Sequence, residues 1–262
     1  MKRRIKLAIS LAVRAWDILH DTACRLVGRQ LPPRCMVLYY HAIPARHRAL
    51  FARQLDTILK LASPISTNPN GSLTPGARYV SITFDDGFAS VLENAAPELK
   101  KRKIPWTLFV PSGCLGQQPA WLRDANGAAR QDRVLTAEEL RHLASDPLVM
   151  IGSHTVAHPN LLEVGPDRAA AELGNSKADL EAAIGKPVRQ LSYPFGARSP
   201  AIDQQARQLG YQRLFSSEPV YAFRSGDEPV TGRASVDPDT SWLEFRLKLL
   251  GAYRWQAVVG RR

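Results

Sequence analysis

A chain of 262 residues with 45% hydrophobic and 23% charged side chains has the material for one large domain with a core, or two small ones; that balance excludes a disordered or fibrous chain. Three cysteines, Cys24, Cys35 and Cys114, exclude a disulfide framework and a Cys-x-x-Cys zinc site and point to a reducing compartment. The net charge of +11 sits at the ends: residues 1–35 carry +6 and residues 241–262 carry +4, which leaves the middle near neutral. A nucleic-acid enzyme concentrates its excess around its site, so this distribution speaks against one and for an anionic surface such as a membrane.

The chain opens on Met1-Lys2-Arg3-Arg4 and an apolar stretch, as a signal peptide does. Its longest uncharged run, residues 7–13, is interrupted by Arg14, and no small-x-small cleavage site follows. At helical spacing Lys6, Ser10, Arg14, Asp17 and Asp21 form a polar stripe, with Ile5, Ala8, Ile9, Ala12, Trp16 and Leu19 on the other side. This predicts an amphipathic helix with an interfacial Trp. Three readings stay open for it: a helix that turns its apolar stripe onto its own domain, a helix docked on a membrane surface, and a signal. No stretch has the length expected of a transmembrane helix.

Beyond it, residues 36–41 read as a buried strand, and residues 51–61 as a helix with Phe51, Leu55, Ile58 and Leu59 on one face. Residues 63–76, rich in Pro, Asn, Ser and Gly, read as a loop. A second strand covers 79–85, a helix 91–102 and a third strand 106–110. Residues 115–133 form a loop carrying a lone Trp121. Thr136 opens a helix with a capping box, since Glu139 follows three residues later. Strands then fall at 149–154, 190–195 and 213–217, with helices at 168–184 and 201–209, the latter ended by Gly210. Repeated β-α units predict an α/β fold of parallel strands and helical crossovers, with functional residues at the C-terminal strand ends.

Two of those strand ends carry the chemistry. Thr83-Phe84-Asp85-Asp86-Gly87 ends the second strand, and Ser153-His154-Thr155-Val156-Ala157-His158 follows the run Leu148-Val149-Met150-Ile151-Gly152. Mid-strand, adjacent aspartates face opposite ways; at a strand end, with Gly87 permitting a sharp turn, both reach one site. Asp-Asp-Gly alone is also ordinary turn chemistry, and a lone His-x-x-x-His pair is often surface or core. Taken together, one carboxylate and two imidazoles hold a divalent metal, zinc by ligand type, and leave positions open. A second carboxylate beside them accepts a proton. Those are the parts of a hydrolase.

With these motifs the chain resembles the polysaccharide deacetylase superfamily, the NodB-homology or carbohydrate esterase family 4 group. Residues 83–87 match its first motif and residues 153–159 its second; Ser192-Tyr193-Pro194-Phe195-Gly196 resembles its third. Val37-Leu38-Tyr39-Tyr40-His41 resembles the Tyr-His strand of the branch acting on exopolysaccharides. The similarity runs from about Met36 to about Val236. It implies a distorted (β/α) barrel and metal-dependent removal of N-acyl groups from aminosugars. Carried over by position, it makes Asp85 the general base and Asp86, His154 and His158 the metal ligands. It gives the Phe195 N–H to an oxyanion hole whose loop Pro194 fixes. Tyr193, Pro194 and, on its own chemistry, Trp121 are candidate substrate contacts. Two positions depart from the family. Ser192 stands where an Arg that orients the base is frequent, and Arg233 is a candidate replacement, the alternative being a surface Arg. No histidine follows His158 to serve as the late general acid, and His41 is the candidate for that role. Trp121 stacks on a sugar face or simply packs.

The expected organisation is a basic amphipathic segment at 1–34, a NodB-like deacetylase domain at 35–240 and a basic helical tail at 241–262. The expected function is hydrolysis of N-acetyl groups on an N-acetylated glycan or lipid-linked saccharide, at an anionic membrane surface and without nucleic acid. The expected location is the cytoplasm or the cytoplasmic face of the inner membrane, with export still open. An amidase or deformylase on another carbonyl substrate and a degenerate, non-catalytic glycan-binding module are the alternatives.

Overall fold

The computed structural model describes residues 3–69, 71–119, 121, 132–224 and 228–259. Residue 120 and residues 122–131 of the expected 115–133 loop lie outside the described residues, as do Met1, Lys2 and residues 260–262 of the expected tail. Helix α1 (Arg3–Leu26) leads into strand β1 (Arg34–Tyr40). Helix α2 (Arg48–Leu61) turns Phe51, Leu55 and Ile58 to the core. Leu59 was expected on that face but is exposed, because it lies a fifth of a turn off the stripe; Gln54 takes the place. Buried, Gln54 accepts from the Tyr40 hydroxyl at 2.9 Å and donates to the carbonyls of Asp237 and Pro238. The expected 63–76 loop begins with a short strand, β2 (Ser63–Pro64), paired with β3 (Arg78–Phe84).

The helix expected at 91–102 is two pieces: a π-helical turn, Val91–Ala95, then α3 (Ala96–Lys101). Pro97, which has no N–H to donate, sits at the junction. Strand β4 (Trp106–Val110) precedes α4 (Ala137–Ala144), whose capping box forms as predicted. The Glu139 N–H donates to Thr136 Oγ1 at 3.2 Å, and the Thr136 N–H to Glu139 Oε2 at 2.8 Å. Strand β5 (Val149–Ser153) is followed by α5 (Pro166–Ile184), which starts on a proline preset for a first turn and ends at Gly185 with φ 68°. Strand β6 (Gln190–Ser192), α6 (Pro200–Gln208), β7 (Arg213–Phe215), β8 (Ala234–Ser235), α7 (Trp242–Leu249) and α8 (Gln256–Val259) complete the chain.

The sheet runs β7-β6-β5-β4-β3-β1-β8, with every neighbouring pair parallel and β2 beside β3. It curls until its edges meet. Phe215 at the end of β7 bridges Thr231, and two residues on the same segment Arg233 leads into β8 against β1. The result is a distorted (β/α) barrel, as expected. Gly232 lies in the closing segment, where a Cβ would come within 2.3 Å of the Glu218 carbonyl oxygen; only a glycine lets the two segments approach that closely.

Helix α1 packs on the barrel, but by its polar stripe. Ser10, Asp17 and Asp21 are its buried residues, while Trp16, Leu19 and Leu26 face outward. Of the three readings open for this helix, the one that turns its apolar stripe onto its own domain does not hold, because arginines meet its polar stripe: Arg254 pairs with Asp17, and Arg34 and Arg78 with Asp21.

Candidate active site

Each element of the site is a strand end followed by a turn that places a side chain against the preference of its backbone. Asp85 directly follows β3, and its N–H is held by the Tyr40 carbonyl at 2.9 Å. Asp86 then adopts φ 67° and Gly87 φ 64°, so the chain reverses and both carboxylates point into the barrel mouth. Thr155 (φ 67°), His158 (φ 58°) and Phe195 (φ 58°) sit in the same left-handed region. Non-glycine residues there carry strain of about 1 kcal/mol or more, and such strain collects at functional sites. The loop after β5 is pinned from two sides. Ser112 and Gly113 donate to the carbonyls of Thr155 and Val156, and the buried Glu172 carboxylate of α5 accepts from the N–H groups of Val156 and Ala157, both at 2.9 Å.

Asp86, His154 and His158 converge as expected. Their ligand atoms lie within 4.8 Å of one another, and all three residues are buried. His154 Nε2 is 3.6 Å and His158 Nε2 3.3 Å from Asp86 Oδ1. The other nitrogen of His154, Nδ1, meets the Ser192 carbonyl at 2.8 Å, which fixes that nitrogen as the N–H and leaves the Nε2 lone pair facing the cluster. Burial, with His154 alongside, pushes the His158 imidazole down to about 2 and so keeps it neutral. Burial likewise raises the Asp86 carboxyl. Asp86 Oδ1 is buried without a hydrogen-bond partner. A buried carboxylate oxygen with no donor, faced by two imidazoles, is what a divalent cation satisfies. The donor set fits a metal.

Asp85 has a different partner. The Arg233 guanidinium forms a fork on it, Nη1 to Oδ1 and Nη2 to Oδ2, both at 2.8 Å. Arg233 is 1% exposed; the surface alternative is excluded. Its remaining donors go to Thr83 Oγ1, Ser192 Oγ and the Ser216 carbonyl, and the Tyr39 ring covers its face at 4.5 Å. Burial alone would raise the Asp85 carboxyl; the adjacent guanidinium outweighs it, with His154 assisting, and brings it to about 2. Ser192, standing where an Arg was looked for, is the hydroxyl that makes room for this arginine from across the barrel.

These groups line one cavity of about 650 Å³ with His41, Trp121, Tyr193 and Phe195, a size usual for a ligand site. Phe195 is 67% exposed at its rim. Trp121 lies flat on His158, with centroids 4.3 Å apart and planes at 18°, so one of its faces is taken by a metal-ligand candidate. Pro194 does not line the cavity; it is buried in the turn that presents Phe195. Tyr193 is nearly fully buried and offers the cavity little surface. Sequence reasoning missed Arg46, His47, Asp237 and Asp239 on the wall. Asp237 and Asp239 follow β8, so the strand-end rule applied to a two-residue strand would have found them. Nothing in the sequence singles out Glu172.

A family model for polysaccharide deacetylase matches residues 72–214. The protein YxkH of Bacillus subtilis (strain 168) is 28% identical over 179 residues, covering 68% of this chain and 57% of its own length. A poly-beta-1,6-N-acetyl-D-glucosamine N-deacetylase of Staphylococcus aureus (strain MRSA252) is 26% identical over 146 residues, 51% of this chain and 47% of its own length. The chain thus spans about half the length of the curated relatives it matches. Among solved structures, IcaB from Ammonifex degensii superposes with a TM-score of 0.70 at 26% identity, covering 85% of this chain and 98% of that one.

Proposed function

This chain belongs to the polysaccharide deacetylase family, and we propose that it removes N-acetyl groups from an amino-sugar-containing glycan with a divalent metal. The observation that carries the reading is the pairing, in one cavity, of a buried Asp-His-His cluster with an orphaned oxygen and a separate carboxylate locked by arginine. Asp86, His154 and His158 would hold the metal, and a set of one carboxylate and two imidazoles suits zinc. When bound, such an ion polarises a carbonyl and acidifies water.

The chain's own residues do the rest. Asp85, ionised and aimed by Arg233, accepts the proton of water as it attacks the acetamide carbon. The Phe195 N–H donates to the oxygen that becomes negative, a contribution of about 3 kcal/mol for a donor of this kind. The C–N bond then breaks toward nitrogen, and the amine takes a proton from His41, which faces the same cavity. The exposed Phe195 ring and the edge of Trp121 give the sugar an apolar surface. The Staphylococcus aureus relative is named for a β-1,6-linked N-acetylglucosamine polymer, which makes that linkage the first to try.

The test is zinc-loaded protein with β-1,6- and β-1,4-linked N-acetylglucosamine oligomers, measuring released acetate and new primary amines. Equal amounts of both, abolished by a chelator, are expected. A zinc-replete protein that releases no acetate from any N-acetylated oligosaccharide overturns the reading.

A further inference from the structure

Helix α1 is built inside out. Its buried side holds Ser10, Asp17 and Asp21. Trp255 Nε1 donates to Ser10 Oγ at 2.9 Å. Arg254 forms a two-pronged pair with Asp17, at 2.8 and 2.5 Å, and Arg34 another with Asp21, at 2.7 and 2.6 Å. Among the described residues of α1, Leu7 and Val13, at the border of this side, pack on the cluster of Leu247, Ala252 and Tyr253, and Ile9 is half-buried. The apolar residues left over face solvent: Trp16 is 66%, Leu19 67% and Leu26 83% exposed, and Val27 extends the line. Helix α7, which packs beside α1, exposes Trp242, and α8 after it exposes Val258 and Val259. Isolated exposed apolar residues need no explanation, but a continuous face of this extent does.

The charge beside this face has one sign. Both acids of α1 are buried and paired, so its exposed charges are Arg3, which pairs with Glu244 of α7 at 2.9 Å, Arg4 and Arg25, with Arg29 just beyond the end. A groove of about 700 Å³ along its flank, between Tyr221, Trp255 and Val258, adds Arg224 beside Arg34 and Arg254, the two guanidiniums already paired with Asp21 and Asp17. A second copy of this chain would bring the same arginines against one another across a two-fold axis. An anionic bilayer brings the opposite charge to all of them at once.

We propose that the outward face of α1, with its borders on α7 and α8, docks on an anionic phospholipid bilayer, the helix lying in the interface plane. Among the described residues no helix is long and apolar enough to cross a membrane, so attachment through this face is peripheral. Its orientation follows from the anchors. Asp21 is tied to Arg34 and Arg78, the first residues of β1 and β3, whereas Asp85 follows the last residue of β3. Those ends are separated by seven residues of strand, about 20 Å at ~3.3 Å per residue. The cavity mouth therefore stays open to solution, and a glycan reaches it from the side away from the lipid around α1. The docking does not depend on the chemistry proposed above.

The experiment is co-sedimentation of the full chain with vesicles of phosphatidylcholine alone and of phosphatidylcholine with 30% phosphatidylglycerol, at 50 and 500 mM salt, alongside sedimentation velocity without lipid. Binding to the anionic vesicles at low salt is expected. Arg4→Glu combined with Arg25→Glu should weaken it about 30-fold or more, at ~1 kcal/mol per basic residue. Trp16→Ser combined with Leu19→Ser and Leu26→Ser should abolish it while leaving the thermal transition in place, since all three side chains are exposed. The proposal is overturned if wild type ignores anionic vesicles at 50 mM salt, if the triple variant binds as wild type does, or if wild type is a lipid-indifferent dimer that the triple variant dissociates.

Discussion

Asp86 lies at φ 67° and Asp85 before it ends an extended strand; that one turn sends adjacent carboxylates to different partners. Asp85 meets a guanidinium, and Asp86 meets two imidazoles. Their replacements should separate cleanly. Asp85→Asn keeps shape and removes proton acceptance, so deacetylation falls about 10²–10⁴-fold while zinc stoichiometry stays at the wild-type value. Asp86→Asn loses zinc. Metal analysis of the two proteins side by side decides, and a loss of zinc as severe in Asp85→Asn would reverse the roles. His41 is distinguished by leaving group. A poor amine leaving group needs a proton and an aryloxide does not, so His41→Ala should lower turnover of an N-acetylated sugar by about 10²-fold and leave an aryl acetate nearly untouched. Equal losses on both substrates would make His41 a structural residue.

At the scale of elements, α5 and α4 show how support residues act at a distance from the chemistry. Glu172 on α5 holds the N–H groups of Val156 and Ala157 and so fixes the strained turn that delivers His158. Glu172→Ala should lower zinc affinity about 10–100-fold, as lost supporting hydrogen bonds around metal sites do. A competition titration with a chelating dye reads this directly. Glu139 on α4 offers a pH test far from any ligand. Hydrogen bonds from Arg133, then from the Thr136 N–H, outweigh partial burial and bring its carboxyl from 4.5 to about 2. A carboxyl depressed on folding stabilises when ionised: its contribution is full above pH 4.5, shrinks as pH falls and is gone below about 2. Glu139→Gln should therefore cost about 1 kcal/mol at pH 7, the scale of a lost cap, and the gap to wild type in denaturant melts should close between pH 4.5 and pH 2. A gap that widens on acidification would contradict it.

At the scale of the molecule, barrel closure and the candidate site are joined through residues 231–235. The segment reaches β7 by the Phe215–Thr231 bridge and β1 by the pairing of Ala234 with Leu38, and between these it delivers Arg233 to Asp85. Gly232→Ala puts a Cβ against the Glu218 carbonyl and the Val220 side chain, so the segment must shift. Overpacking of this kind costs about 1–3 kcal/mol, and the displaced guanidinium should lower turnover with zinc still bound. A Gly232→Ala protein with wild-type melting temperature and wild-type turnover would show that the seam tolerates movement. Electrostatically the molecule is divided: the excess positive charge lies in the terminal segments, while the cavity wall carries both signs, Arg46 and Arg233 with Asp85, Asp86, Asp237 and Asp239.

The local chemistry of this protein was legible in its sequence because local chemistry is set by neighbours along the chain. Alternating apolar runs and helical stripes gave the parallel α/β order, Thr136 and Glu139 gave a cap three residues long, and Asp85-Asp86-Gly87 with His154 and His158 gave a cluster of candidate metal ligands at strand ends. What lay beyond it depends on residues far apart. Arg233 reaches Asp85 across 148 positions, and no spacing distinguishes that arginine from a surface one; only a sheet that closes on itself brings them together. Glu172 carries no sequence signal because it binds backbone N–H groups, which every residue has. The orientation of α1 is the clearest case. Its two faces were readable from the helical period, but which face turns inward was decided by Arg34 and Arg78 on the barrel and Arg254 between α7 and α8, whose pairs with Asp17 and Asp21 turn the helix's polar stripe inward and leave its apolar stripe outside.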